Sequence, residues 1–251
     1  MENKNVREKI VEINGLSKRY GKASNYAIED INIECYAGEI VGLLGKNGAG
    51  KSTTIKCLTG YFSFDKGNIK ICNYDIKKNP IDAKKNLGYV PDSRPTFEKM
   101  TGLEYINFIA DLHRTPQKER EERVEEMQRM FKLGDKINNL ISSYSHGMKQ
   151  KVCLMASLIH QPKLWLLDEP LTGLDPQTSK ALHDYMKKYK EEGNTVLYSS
   201  HNLDAVEKNC DRVYIINQGK LVAEIDVKDF IEKHPGQTLE SFFIKEFEEN
   251  V

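Results

Sequence analysis

Three glycines, two lysines and a serine fall within eight residues at Gly45-Lys46-Asn47-Gly48-Ala49-Gly50-Lys51-Ser52, directly after an apolar run at residues 39–44. Glycines at the first and sixth positions let a loop turn successive amides inward. A helix that follows directs its positive end at the same point. The apolar run has the length and composition of a strand buried in a parallel sheet, and residues 53–58 continue with helical spacing. Strand, glycine loop and helix in that order make a cradle for phosphate. A flexible loop ahead of a helix is the alternative, and the complete pattern behind a strand argues against it. Lys51 is then expected to contact the β and γ phosphates, and Ser52 to offer its hydroxyl to Mg²⁺.

A second apolar run, residues 164–167, ends in Asp168-Glu169. Acids at a strand end can place Asp168 toward the metal and Glu169 toward the γ-phosphate, where a carboxylate orients and activates water as general base. Simple capping of the strand end is the other reading. His201 follows the apolar stretch 195–199 and is placed to hydrogen-bond the γ-phosphate and sense an intact nucleotide. A lone histidine is otherwise structural.

The rest of the chain organises around these two elements. Residues 10–13, 26–33, 69–71 and 87–90 read as strands, with a polar connector at 77–80. Residues 101–112 and 116–131 turn helical, with charged runs such as 118–122 that suit a solvated helix face. This predicts a helical subdomain inserted between strands of the sheet. Helix at 148–160, strand at 164–167, helix at 178–190 and strand at 195–199 restore βαβ alternation. Residues 213–216 and 221–223 flank Gln218-Gly219 as a closing hairpin. From residue 228, Phe230, Leu239, Phe242, Phe243 and Phe247 among acids predict an amphipathic helix that covers the sheet edge or docks a partner.

Bulk properties exclude several classes. The 251 residues suffice for one sizeable core or two packed subdomains. Lys plus Arg and Asp plus Glu both number 37, so no global field draws nucleic acid or anionic lipid. No apolar run has the roughly 18 residues a membrane span needs, and the polar start lacks a secretory signal's apolar stretch. Cys35, Cys57, Cys72, Cys153 and Cys210 are widely spaced, which favours reduced structural thiols over a zinc site.

With those motifs in order, residues 11–218 resemble the ATP-binding subunit of an ATP-binding-cassette transporter. Tyr20, ahead of the phosphate loop, resembles the aromatic that stacks on adenine, unless it only packs near its turn. Tyr144-Ser145-His146-Gly147-Met148 occupies the place of the family signature, which in the family closes over ATP held by the phosphate loop of a second subunit. Ser145 and the amides around Gly147 sit at a helix start and can donate to γ-phosphate, a role compatible with Ser145 acting as an N-cap. Leu174-Asp175 resembles the segment that crosses the dimer interface, although Asp175-Pro176 also suits a helix start. Asp92, after Tyr89-Val90-Pro91, stands where most members carry glutamine or glutamate, in a loop that links the Mg²⁺ site to the membrane partner. Its shorter reach calls for a bridging water or a shifted loop, and Pro91-Asp92-Ser93 also reads as an ordinary turn. His146 and Met148 replace a glycine and a glutamine of the usual signature. That variant resembles one exporter subgroup.

The resemblance implies an α/β fold, a P-loop nucleotide hydrolase cassette with a mixed sheet core, an N-terminal antiparallel strand region and an inserted helical subdomain. It sets the cassette at residues 8–218, the helical subdomain at 93–150, and a hairpin strand with an amphipathic tail at 219–251. By this resemblance ATP and Mg²⁺ would be held by Tyr20, Gly45, Lys46, Asn47, Gly48, Ala49, Gly50, Lys51, Ser52, Thr53, Asp92, Ser145, Gly147, Asp168 and Asp175, with Ser52, Asp92 and Asp168 on the metal, and the catalytic groups would be Glu169, His201 and Lys51. One phosphate loop and one signature per chain imply pairing with a second copy or close homologue. A multi-span transmembrane permease would be energised through the Asp92 loop and residues 97–109, holding the chain peripherally on the inner face of the cell membrane. Together with the tail at Thr238-Leu239-Glu240, the signature variant resembles bacterial exporters of drugs, antimicrobial peptides, lipids, glycans or sodium. A non-transport ATPase acting on ribosomes or DNA, and a regulatory module that holds ATP without hydrolysing it, are the alternatives. Neither tandem cassettes nor an inserted coiled coil is present, and no nucleic-acid partner is expected.

Overall fold

The computed structural model describes residues 7–21, 23–92 and 97–247, for residues 244–247 only the backbone. The chain begins with β1 (Lys9–Lys18) and β2 (Ile28–Tyr36), crosses to β3 (Ile40–Leu44), and passes through the glycine loop into α1 (Lys51–Leu58). It returns through β4 (Lys66–Ile71), β5 (Tyr74–Asp75) and α2 (Pro80–Lys85) to β6 (Leu87–Val90). A helical arm follows, made of α3 (Gly102–Leu112), α4 (Gln117–Phe131) and α5 (His146–Leu158). β7 (Leu164–Asp168), α6 (Pro176–Glu191), β8 (Thr195–Ser200), α7 (Leu203–Asn209), β9 (Arg212–Asn217) and β10 (Lys220–Asp226) complete the sheet, and α8 (Val227–Lys233) and α9 (Leu239–Phe247) form the tail.

Two sheets result. One is antiparallel, in the order β2-β1-β4-β5, and the other is mixed, in the order β10-β9-β3-β8-β7-β6. Every residue of β3, β7 and β8 is buried, as expected of parallel strands covered on both faces. Side chains that alternate along each strand divide between two cores. Ile40, Leu44, Trp165, Leu167, Val196 and Tyr198 join the helical arm, α6, α7 and the tail in one cluster. Val41, Leu43, Leu164, Leu166 and Leu197 join α1 and the antiparallel sheet in the other. This is the α/β arrangement the sequence predicts, inserted helical arm included.

Local chemistry explains the element ends. Thr101 and Glu104 form a reciprocal capping box at the start of α3: Glu104 N donates to Thr101 Oγ1 at 3.2 Å, and Thr101 N donates to Glu104 Oε2 at 2.7 Å. In α4 only Met127 and Phe131 are buried, so the charged run at 118–122 is the solvated face its composition implies. The connector at 77–80 ends inside α2, which Pro80 opens. Six residues are too few to display a helical period, so the sequence pattern concealed it.

The tail departs from a single edge-capping helix. It comprises two helices, and Phe230, Leu239 and Phe243 are buried in the larger cluster, with α9 against α7 and α8 against β10. Phe242 is partly buried. The side chain of Phe247 and residues 248–251 lie outside the described residues, as do residues 1–6, Ser93 and the first four positions of the expected 93–150 subdomain. The five cysteines are free thiols, four of them buried.

Gly88 marks where the helical arm meets the sheet. A Cβ there would lie 2.2 Å from Ser157 O and 2.7 Å from Pro162 Cγ, so the strand approaches α5 closely only because residue 88 has no side chain. Gly88→Ala is expected to destabilise the fold by about 1–3 kcal/mol through overpacking, read as a lower midpoint in urea denaturation.

Candidate nucleotide site at the strand ends

The glycine loop leaves β3 and enters α1 at Gly50, whose backbone (φ +116°) belongs to glycine. A Cβ on Gly50 would also meet Ile28 Cγ2 at 2.7 Å. Gly45 has the same steric demand, since a Cβ there would stand 2.4 Å from Ile216 O. Lys46, Asn47 and Gly48 are exposed at the crown of the loop, while Ala49 is buried beneath it. Lys51 turns back inside the curve: its Nζ donates to Gly45 O at 2.6 Å and to Lys46 O at 3.4 Å. The ammonium is thus held where the loop amides and the α1 N-terminus converge, a cradle that fits a polyphosphate.

Parallel pairing sets Asp168 beside Ser199 and Leu44 beside Ser200. Asp168 Oδ1 accepts from Ser199 Oγ at 2.6 Å and from Ser52 Oγ at 3.3 Å. Burial raises the Asp168 carboxyl above its ordinary pKa, opposed by the two serine hydroxyls and reinforced by Asp92 and Glu169. Ser52 and Asp168 offer Mg²⁺ a hydroxyl and a carboxylate oxygen. Adjacent ligands on an octahedral ion with bonds of about 2.1 Å lie about 3 Å apart, so the pair fits that cation.

Glu169 follows in the left-handed backbone region (φ +49°), a conformation that costs a non-glycine residue about 1–3 kcal/mol. Its amide donates to Ser199 Oγ at 3.0 Å. Glu169 Oε1 lies 3.4 Å from Lys51 Nζ, within ion-pair range, yet it is buried with no hydrogen bond of good geometry. Glu169 Oε2 lies 3.0 Å from His201 Nδ1. An ionised carboxylate only accepts, so this contact needs the proton on Nδ1. Lys51, Ser52, Asp168, Glu169 and His201 are therefore one connected group, assembled from three strand ends. Ser199 belongs to it although in the sequence it is only the end of an apolar strand. A serine in a buried strand carries no motif, and only the register reveals its two contacts.

The remaining candidates are placed less directly. The Tyr20 hydroxyl hydrogen-bonds Thr53 Oγ1 at 2.9 Å and its ring meets Phe62 edge-on, with 46% of the residue exposed. It thus stands beside α1 with an open side. Asp92 is exposed and makes no hydrogen bond to Ser52 or Asp168 among the described residues, although its charge reaches Asp168. Ser145 is the N-cap of α5, accepting from Met148 N at 3.4 Å. Asp175 is the N-cap of α6, accepting from Thr178 N at 2.9 Å and Thr178 Oγ1 at 2.6 Å. Ser145, Gly147 and Asp175 make no hydrogen bond to the glycine loop among the described residues. A cavity of about 410 Å³ beside the loop is lined by Lys46, Asn47 and His201, and also by Glu240 and Phe243 of the tail.

The ABC transporter family model matches residues 28–172. The chain is 34% identical, over 92% of its length and 73% of the other's, to the linearmycin resistance ATP-binding protein LnrL of Bacillus subtilis. It is also 34% identical to the SkfA peptide export ATP-binding protein SkfE of the same organism, over 89% of this chain and 92% of that one. The solved structure of an ATP-binding subunit of an ABC transporter superposes with a TM-score of 0.88 at 31% identity, across 94% of this chain and 98% of that one.

The raised Asp168 pKa has a definite consequence for stability. Its ionisation is disfavoured in the fold, so the stability it contributes is complete below the unfolded aspartate pKa of about 4 and is lost as pH rises through the higher folded value. Asp168→Asn, measured without nucleotide or Mg²⁺, is expected to be more stable than the parent at pH 7, with the gain vanishing in acid. Urea titrations at the two pH values check this, and a variant less stable at neutral pH would refute it.

Proposed function

Because the chain belongs to the ABC transporter family and is an ATPase of that kind, we propose that it hydrolyses ATP as half of a dimer and powers export through a separate membrane-spanning partner. The connected group at the strand ends carries this reading. Lys51 and the loop amides bind the phosphates. Ser52 and Asp168 would hold Mg²⁺, which would supply charge neutralisation to the phosphates. Glu169 accepts the proton of the attacking water, and His201, donating from Nδ1, fixes the carboxylate's orientation. The exposed side of Tyr20 receives the adenine by stacking, and Asp92, whose charge acts on Asp168, would reach a bound metal through water or by a shift of its loop.

Ser145, Gly147 and Asp175 act in the other half of the dimer. Their distance in hydrogen-bond terms from their own glycine loop suits residues that serve a second copy's nucleotide. ATP joins the copies, and hydrolysis releases them. No helix among the described residues is long and apolar enough to cross a membrane, so the transport path belongs to the partner in this reading. Phe97, Phe108 and Leu112 are exposed on and beside α3, with the Phe97 and Phe108 rings in contact, and form the face on which a short helix of the partner docks. Export, rather than import, is supported by the resistance and peptide-export names of LnrL and SkfE and by the Tyr144-to-Met148 variant.

Glu169→Gln is expected to lower ATP turnover by about 10²–10⁴-fold while retaining ATP binding and accumulating a dimer, seen by size-exclusion chromatography with Mg²⁺-ATP. Unchanged turnover would remove Glu169 as the base. Purification of the tagged chain from detergent-solubilised membranes, followed by mass spectrometry, is expected to recover a multi-span protein in stoichiometric amount. Recovery with ribosomal or DNA-associated proteins alone would refute transport.

A further inference from the structure

Helix α5 grips the loop that carries Glu169. His146 and Gln150 are four residues apart, on one face of the helix. Gln150 is buried, and its Nε2 donates to Pro170 O at 3.0 Å. The His146 ring lies where a side chain at Gly173 would go: a Cβ there would fall 2.3 Å from His146 Cδ2 and 2.6 Å from Nε2. Gly173 also has φ +77°, so residue 173 is doubly restricted to glycine. Gly147 faces the same point, its absent Cβ lying 3.6 Å from Gly173 O.

The gripped loop is short and fixed at both ends. At one end stands Glu169, with its left-handed backbone and its amide on Ser199 Oγ. At the other, Asp175 caps α6. Between them Thr172 N bonds to Glu169 O at 3.3 Å and Leu174 N to Leu171 O at 3.2 Å, so the segment has little slack to absorb a displacement of Gly173. A histidine at 146 adds an imidazole to this contact that the glycine usual at that signature position lacks.

We propose that His146 is a positioning residue: seated against Gly173, it couples the signature segment to the Glu169 loop of the same chain. The proposal rests on the dimeric ATPase reading above. In such a dimer the signature of one chain faces its partner's nucleotide, while Glu169 faces its own. Closure of the signature on one nucleotide therefore moves, through His146 and Gly173, the carboxylate that acts on the other. Each chain becomes the mechanical link between two composite sites.

The test uses the full chain and steady-state ATPase measured against ATP concentration. Two coupled sites predict a sigmoidal ATP dependence for the parent; His146→Ala is expected to lower kcat on the order of 10-fold, by misplacing Glu169, to remove that cooperativity, and to leave KM nearly unchanged. His146→Gln, which restores a planar polar group, should recover part of both, and it carries the test if the alanine variant folds poorly. Gly173→Ala, which drives a methyl group into the ring from the other side, should reproduce the loss, and combined with His146→Ala it should cost less than the sum of the two, only the backbone strain at φ +77° persisting. Unaltered kcat and cooperativity, a rise in KM alone, or full additivity with Gly173→Ala would each overturn the coupling. Failure of the Glu169→Gln chain to dimerise with ATP would overturn the dimeric reading and the proposal together, whereas dimerisation with a silent His146→Ala variant would overturn the coupling alone.

Discussion

The parallel register of β3, β8 and β7 is the constraint on which the site depends. It aligns Leu44 with Ser200 and Asp168 with Ser199, so the glycine loop, the acidic pair and His201 all emerge at the carboxyl end of one sheet. In open α/β sheets that edge is where ligands bind, because the chain turns there into loops and helix N-termini. A slip of one residue in β7 would send Asp168 to the opposite face of the sheet and separate it from Ser52. The apolar alternation along these strands, divided between two cores, opposes such a slip at every position.

Burial then makes the same edge chemically responsive. Asp168 is held in a desolvated position that favours its neutral form, while the two serine hydroxyls that reach it favour the charge. A divalent cation between Asp168 and Ser52 would stabilise the ionised carboxylate and offset its desolvation, which ties the stability of this region to the ligand. Glu169 adds a strained backbone and a buried oxygen lacking a well-aligned partner. Unsatisfied and strained groups in a folded protein tend to gather where function requires them.

The helical arm and the tail both reach this edge. The arm is packed closely on the sheet, with Gly88 against Ser157 O and Gln150 against Pro170 O, so α5 is linked to the sheet rather than hinged freely beside it. The tail buries Leu239 and Phe243 near α7 and brings Glu240 to the cavity beside the glycine loop. A C-terminal segment that resembles a plain edge cap in sequence thus borders the same space as His201.

Local sequence was enough to determine the elements whose chemistry is contiguous. The glycine loop, the apolar strands and the adjacent Asp168-Glu169 can be read within a few residues, because backbone geometry acts over one turn, whereas the capping pair Thr101/Glu104 emerged only with the structure. The α/β class and the inserted helical arm followed from the change of hydrophobic period. Tertiary structure decided what joins across distance: Ser199 between Asp168 and Glu169, Gln150 on Pro170, His146 on Gly173, and a tail of two helices turned toward the loop. These contacts link residues that lie 20 or more positions apart. No local pattern encodes them, since a serine in a strand or a histidine at a helix start acquires its partner only when strand register and helix packing bring the two together.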